Sequence, residues 1–236
     1  MSEIIAKEKE IVVPGEVLAT GMDYLPSNGT YRLGDNIVSS MLGMLRVDGK
    51  VLKTLPLSGA YLPKKGDTII AQVTEILISG WRVDTNSAYS AVLSLKDGSS
   101  SYIPHGADLS QYFGIGDYMI TQITNVTSQN LIDVTMKGPG LRKLKGGRAI
   151  QVNTNKVPRV IGKGGSMVSM IKNTTGCQIT VGQNGIIWVQ GEPKNEIIAV
   201  DTIKKIEAES HVPGLTEKIK QHLEKVTGKK VNQNVV

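Results

Sequence analysis

The residues best suited to chemistry are Val160-Ile161-Gly162-Lys163-Gly164-Gly165. Glycine has no Cβ, so a Gly-x-x-Gly turn lets an anionic polymer backbone come close, and free amides at the start of a following helix attract phosphate. Lys163, between the glycines, adds a mobile positive charge that grips phosphate without reading a base. Taken alone, Gly-Lys-Gly-Gly is equally well a tight turn, because glycine pairs punctuate many loops. A nucleotide-binding P-loop needs Gly-x-x-x-x-Gly-Lys-Ser/Thr. Here Gly165-Ser166 follows directly, which disfavours ATP.

The charge around the motif is uneven. The chain carries 27 Lys/Arg against 21 Asp/Glu, a net +6, which points to an anionic partner without choosing one. Residues 134–191 contain nine Lys/Arg and no acid, so this window alone outweighs the net charge of the protein. Arg148, Lys156, Arg159 and Lys163 lie in it and are candidate phosphate contacts. The remainder is slightly acidic and reads as scaffold for protein contacts.

Other chemistries find little support. With one cysteine, Cys177, no intrachain disulfide is possible, and three scattered histidines make no zinc pattern. His105, His211 and His222 have no neighbours that suggest a Ser-His-Asp or Cys-His arrangement, and Cys177 opens an apolar strand as an inert thiol. The acids are dispersed, without a paired constellation for acid-base or metal work. We expect no catalytic residues, no metal and no cofactor, and a chain that is not an enzyme. No apolar run approaches the roughly 20 residues that span a bilayer, and Met1–Glu10 is neither a secretory signal nor a transit peptide. A cytoplasmic location is expected, with no membrane partner.

The elements that must position the motif follow from patterning. With 40% hydrophobic and 20% charged residues the chain can bury a core, and 26 glycines favour turn-rich β modules. From Ile11 to Leu62, short apolar runs are cut by turn signals about every ten residues, which predicts a small β domain. Gly66-Asp67 then opens five predicted strands: 68–78, 80–83, 90–95, 117–126 and 131–136. Five short strands with glycine turns suit a Greek-key barrel of the OB type. Residues 137–147 read as a Gly/Pro/basic linker. After it come a strand at 148–153, a helical turn at 156–161, and a helix at 166–173 that places Met167, Met170 and Ile171 on one face. A hairpin follows over 177–190 around Gly182-Gln183-Asn184-Gly185. A helix from Pro193 carries Ile197, Val200, Ile203 and Ile206 at helical spacing, and a second amphipathic helix covers 215–226. The fold class is multidomain and mainly β with a C-terminal α/β module. Its parts are a β-rich N-terminal domain over 1–62, a barrel over 63–137, an α/β domain over 147–210, and a C-terminal helix and tail over 211–236.

The strand-helix-helix-strand-strand-helix order around Gly162-Lys163-Gly164-Gly165 resembles the KH domain, whose Gly-x-x-Gly loop clamps about four nucleotides. The barrel is similar to the S1-type RNA-binding domain at Gly66-Asp67, Val73, Trp81 and Asp133-Val134-Thr135. The likeness implies that Trp81 stacks bases, with Tyr89 and Tyr102 as further platforms, and that Arg82 and Lys96 touch phosphate. Fewer aromatics than S1-type barrels usually present read as an auxiliary RNA surface, with a purely structural or docking role as the alternative. Three modules in this order resemble the RNA-binding cap subunits of the archaeal exosome. The phrases that carry the likeness are Val13-Pro14-Gly15-Glu16, Trp81-Arg82-Val83-Asp84 with Asn86-Ser87, and Ile161-Gly162-Lys163-Gly164-Gly165. That family implies a non-catalytic subunit, three copies on a ring of RNase PH-like subunits, with its N-terminal domain docked on the ring. It captures single-stranded RNA and feeds it into a central pore for 3′-to-5′ degradation. The alternative is a transcription-factor-like S1/KH protein acting outside the exosome. That factor carries two KH domains in tandem, and too few residues follow the first here to form another.

Overall fold

Runs such as Val17-Leu18-Ala19 and Asn36-Ile37-Val38, cut by glycine turns, form strands because β-branched residues pack well on a pleated surface while glycine supplies the reversals. The computed structural model describes residues 2–57, 59–99, 103–104, 106–210, 212 and 214–228. These fall into two compact units, residues 1–59 and 60–236. His105, His211, Tyr102 and the tail from Lys229 lie outside the described residues.

The first unit holds eight strands: β1 (Glu3–Ile4), β2 (Ile11–Val12), β3 (Val17–Thr20), β4 (Leu25–Pro26), β5 (Thr30–Leu33), β6 (Asn36–Ser39), β7 (Gly43–Asp48) and β8 (Val51–Pro56). They form two sheets of four, ordered β1-β3-β6-β5 and β2-β7-β8-β4. Val12, Leu45 and Leu52 from one sheet and Leu18, Ala19 and Ile37 from the other make one buried cluster. The Val13-Pro14-Gly15-Glu16 phrase is a turn in which the Glu16 carboxylate accepts the Val13 N–H at 2.8 Å.

The second unit begins with a five-stranded barrel: β9 (Thr68–Leu77), β10 (Gly80–Asp84), β11 (Ser90–Ser94), a short helix α1 (Leu95–Gly98), β12 (Tyr118–Val126) and β13 (Ile132–Thr135). The order β13-β11-β10-β9-β12 closes through β12–β13, with β11–β13 the one parallel pair, which is the OB topology. The continuous apolar stretches Ile69-Ile70-Ala71 and Met119-Ile120 serve two cores. Ile69, Ala71 and Met119 face the barrel interior, whereas Ile70 and Ile120 join Leu144 and Trp188 outside it. A three-residue strand, β14 (Arg142–Leu144), pairs antiparallel with β12 inside the segment read as a linker. Its sequence, Arg-Lys-Leu between glycines, is too short to show a period.

The rest is an α/β layer: β15 (Arg148–Gln151), α2 (Val157–Ile161), α3 (Ser166–Thr175), β16 (Gln178–Val181), β17 (Ile186–Gln190), α4 (Pro193–Ala208) and α5 (Leu215–Thr227). The sheet order is β15-β17-β16, all antiparallel. Ile179, Ile187 and Val189 meet Met167, Met170, Ile171, Ile203 and Ile206 in the largest core, which α5 completes with Leu215, Ile219 and Leu223. Helix α4 is rotated from the expected register. Ile197 is exposed, and Glu196, Ala199 and Thr202 are buried in its place. Glu196 is inward because its carboxylate accepts the Gly191 N–H and pairs with Arg148.

One pH prediction arises here. His222, partly buried, has Nδ1 3.4 Å from the Lys205 Nζ. Desolvation first and the Lys205 charge second hold its imidazole below the ordinary value of 6.5, outweighing the opposing pull of Asp201 and Glu209. The unfolded chain therefore takes up this proton before the folded one, and stability falls as pH drops through 6.5. His222→Gln is expected to flatten that part of a profile of urea midpoint against pH. An unchanged profile would place the proton uptake elsewhere.

Candidate nucleic-acid interface

The Gly-x-x-Gly turn joins α2 to α3, and three of its glycines have left-handed backbone: φ is +76° at Gly162, +60° at Gly164 and +81° at Gly165. The positions are not equivalent. A Cβ on Gly162 would lie 2.8 Å from the Met167 N and Cβ, whereas Gly164 and Gly165 face open space. Gly162 is thus glycine for packing and strain, and the next two leave the backbone approachable. No side chain caps the N-terminus of α3, although the Gly165 and Ser166 N–H groups already donate to the Gly162 and Lys163 carbonyls, so any anion donors here are the amides that follow them. Lys163 is exposed and has no acidic partner among the described residues.

Beside the turn runs a groove of about 470 Å³. Ile161, Val168, Ile179 and Val181 give it an apolar floor, with Lys172 on one side and Arg142, after Pro139-Gly140-Leu141, on the other. Among the described residues neither cation has an acidic partner. The arrangement offers aliphatic surface to bases and positive charge to phosphates, without an aromatic platform.

Several residues expected at this surface are placed elsewhere or already engaged. Arg148 sits on β15, the sheet edge opposite β16, with Nε 3.2 Å from the Glu196 Oε2. Lys156 hydrogen-bonds Ser210, and Arg159 donates to the Val212 carbonyl at 3.3 Å, so both tie α2 to the segment between α4 and α5. Lys143 pairs with Asp117. Burial alone would raise the Asp117 carboxyl. The hydrogen bonds from Lys143 and the Gly114 N–H, with the charges of Lys143 and Lys145, hold it below the ordinary carboxylate value.

Trp81 is corrected outright. It is 0% exposed, packs edge-on against Phe113 at 5.1 Å, and donates its indole N–H to the Phe113 carbonyl at 3.0 Å. No ring face remains for a base, so Trp81 is a core residue of the barrel. Arg82 is exposed but bound to Glu75 at 2.7 Å, and Lys96 is exposed on α1. Tyr89 is partly exposed, and so is Tyr112, which sequence reasoning passed over because it lies in a loop.

Sequence reasoning also passed over Asn184. The turn between β16 and β17 is more than a connection, because it docks on the barrel. The wholly buried Asn184 donates from Nδ2 to the carbonyls of Ile70 at 2.8 Å and Thr85 at 2.9 Å, and accepts the Ile70 N–H at 3.3 Å. Gln183 exchanges two further bonds with Thr68. The edge of β9 beyond the reach of β10 is thereby satisfied, and the groove holds its shape because both its walls are clamped. Asn86, in left-handed conformation at φ +57°, adds a bond to the Asn184 carbonyl at 2.8 Å and accepts one from Gln151 at 2.9 Å.

Comparison with known proteins agrees with this architecture. A KH domain family profile matches residues 148–205, and a profile described as the Exosome complex exonuclease RRP4 N-terminal region matches residues 11–48. Exosome complex component Rrp4 of Pyrococcus furiosus is 40% identical over 227 residues, covering 94% of this chain and 86% of its own length. The protein of the same name from Thermoplasma acidophilum is 39% identical and covers 94% and 93%. A crystal structure described as an exosome complex RNA-binding protein superposes with a TM-score of 0.65 at 33% identity, covering 71% of this chain and 97% of that one. With this coverage and identity, the chain belongs to the Rrp4 family of exosome complex components.

Proposed function

We propose that the chain is a non-catalytic subunit of an archaeal exosome that captures single-stranded RNA and directs it into the central pore of an RNase PH-like ring for 3′-to-5′ degradation. Three copies cap each ring in the cytoplasm, docked through the β-rich domain of residues 1–62. The barrel over 63–137 and the KH domain over 147–210, followed by the C-terminal helix and tail over 211–236, present the RNA surface. The observation that carries the RNA reading is the open Gly164-Gly165 backbone, with exposed Lys163 in the same turn, beside a groove lined by Lys172 and Arg142, none of the three cations having an acidic partner among the described residues. The non-catalytic reading is supported by Asp117 and Glu196, the acids that meet the basic window, since both are committed to ion pairs with Lys143 and Arg148. Among the described residues no helix is long and apolar enough to cross a membrane.

The assembly is tested by affinity purification and mass spectrometry, with two RNase PH-like proteins expected in equal amounts. Their absence would detach the chain from the ring and favour an S1/KH protein acting alone. The RNA surface predicts a salt response. Three phosphates gripped by Lys163, Lys172 and Arg142 give a slope near −0.7 per contact, so affinity drops roughly twentyfold between about 50 and 200 mM salt. A flat response in fluorescence anisotropy would point to stacking instead.

A further inference from the structure

A second cleft, of about 240 Å³, lies on the face of the three-stranded sheet away from the helices. Its lining includes Arg142 and Lys145 from β14 and the residue after it, with Gln178, Thr180, Trp188 and Gln190. The last four are cross-strand neighbours, Gln178 opposite Gln190 and Thr180 opposite Trp188, so alternation puts them on one face. The lining contains no carboxylate. Lys143 also lines the cleft, but its ammonium is taken by Asp117 and lies 5.9 Å from the Phe113 ring. Every other polar side chain in it can donate a hydrogen bond.

Trp188 is the second observation. It is 7% exposed, tilted against the Tyr118 ring at 5.3 Å, and its indole N–H has no acceptor. It is the one buried side-chain nitrogen or oxygen among the described residues that lacks a partner. An unmet buried donor is destabilising, and indole can donate but never accept. The indole nitrogen lacks an acceptor and is closed to solvent in the free chain, so an oxygen reaches it only as the cleft opens, and the lining of that cleft selects an oxygen-rich anion.

Arg142 and Thr180 line both this cleft and the groove beside the Gly-x-x-Gly turn, so the two sites meet at the edge strand β16. We propose that the cleft binds the sugar-phosphate backbone of an RNA strand leaving the groove, so that the RNA footprint rounds β16 onto the outer face of the sheet. This rests on the RNA reading of the Gly-x-x-Gly loop. It extends the contact beyond the four nucleotides such a loop clamps and makes the segment between barrel and KH domain an RNA-binding wall.

The chain has two tryptophans, hence two indole N–H signals, and Trp81 serves as an internal control because its N–H is already bonded. The full-length ¹⁵N-labelled protein is titrated with a tetranucleotide, with an oligouridylate of about ten nucleotides, more than twice the loop's footprint, and with inorganic phosphate. Trp188→Phe assigns the signals. The longer RNA is expected to move the Trp188 indole proton downfield and leave Trp81 in place. The tetranucleotide is expected to move the Gly164 and Gly165 amides without Trp188. In parallel, the Lys145→Ala/Gln178→Ala variant, whose residues line the cleft and not the groove, is expected to lose roughly tenfold affinity for the longer RNA, and much less for the tetranucleotide.

The cleft assignment is overturned, with the loop reading intact, if Gly164 and Gly165 respond to the longer RNA while Trp188 stays still. It is also overturned if the Lys145→Ala/Gln178→Ala variant weakens both RNAs equally or neither. A Trp188 shift as large with inorganic phosphate as with RNA would make this a free-anion site. Silence at Gly164 and Gly165 would sink the loop reading and the strand path that depends on it, whatever Trp188 does.

Discussion

Gly164→Asp is expected to weaken single-stranded RNA binding by roughly thirtyfold, about 2 kcal/mol, the worth of one backbone contact to a charged phosphate together with new repulsion. The fold should survive. A Cβ at this position meets nothing within 4 Å, and at φ +60° the backbone is in the left-handed region that aspartate tolerates better than most residues. Gly162→Asp is a poorer probe, because its Cβ would press on the Met167 backbone and its φ of +76° with ψ of 173° suits glycine alone. That variant should lose stability as well as affinity. Anisotropy with labelled RNA, read beside thermal melts, separates the two. Unchanged affinity in a folded Gly164→Asp protein would move the binding site away from the turn.

The second large effect is on stability. Asn184→Ala should cost about 3 kcal/mol, because it strands the Ile70 and Thr85 backbone groups in a wholly buried site. Asn184→Asp should cost more, since an acceptor would then face two carbonyls with no water to screen it. Gln183→Ala, on the exposed side of the same turn, is expected to cost well under half as much. Urea midpoints for the three variants check the ordering. Equal small losses would mean that the turn merely rests against the barrel. Gly182 belongs to the same clamp, because a Cβ there would come within 2.8 Å of the Ile70 N.

Much of this fold is legible in the sequence for a local reason. Barrel strands such as Tyr118–Val126 announce themselves by apolar runs between glycine turns, and α3 by Met167, Met170 and Ile171 on one face. What is not legible depends on distant partners. The acid-free window suggested a uniformly free positive surface, yet Glu196 comes from α4 and Asp117 from the barrel to neutralise Arg148 and Lys143. The cations without an acidic partner among the described residues include Arg142, Lys145, Lys163 and Lys172, of which only Lys163 stands in the motif that the sequence displays. The likeness to S1-type barrels implies a stacking platform at Trp81, but its orientation is set by Phe113, 32 residues away. Asn184 carried no signal beyond a hairpin turn, because its three bonds all run to backbone groups about 100 residues earlier.

The central claim is that this chain holds single-stranded RNA and does not cut it. The direct measurement incubates purified full-length protein, free of ring subunits, with end-labelled RNA, with and without phosphate, and reads retention and RNA length on paired gels. The expected result is retained, full-length RNA under both conditions, with retention largely lost in Gly164→Asp. Release of nucleotides by the chain alone, or absence of any retained RNA, would contradict it.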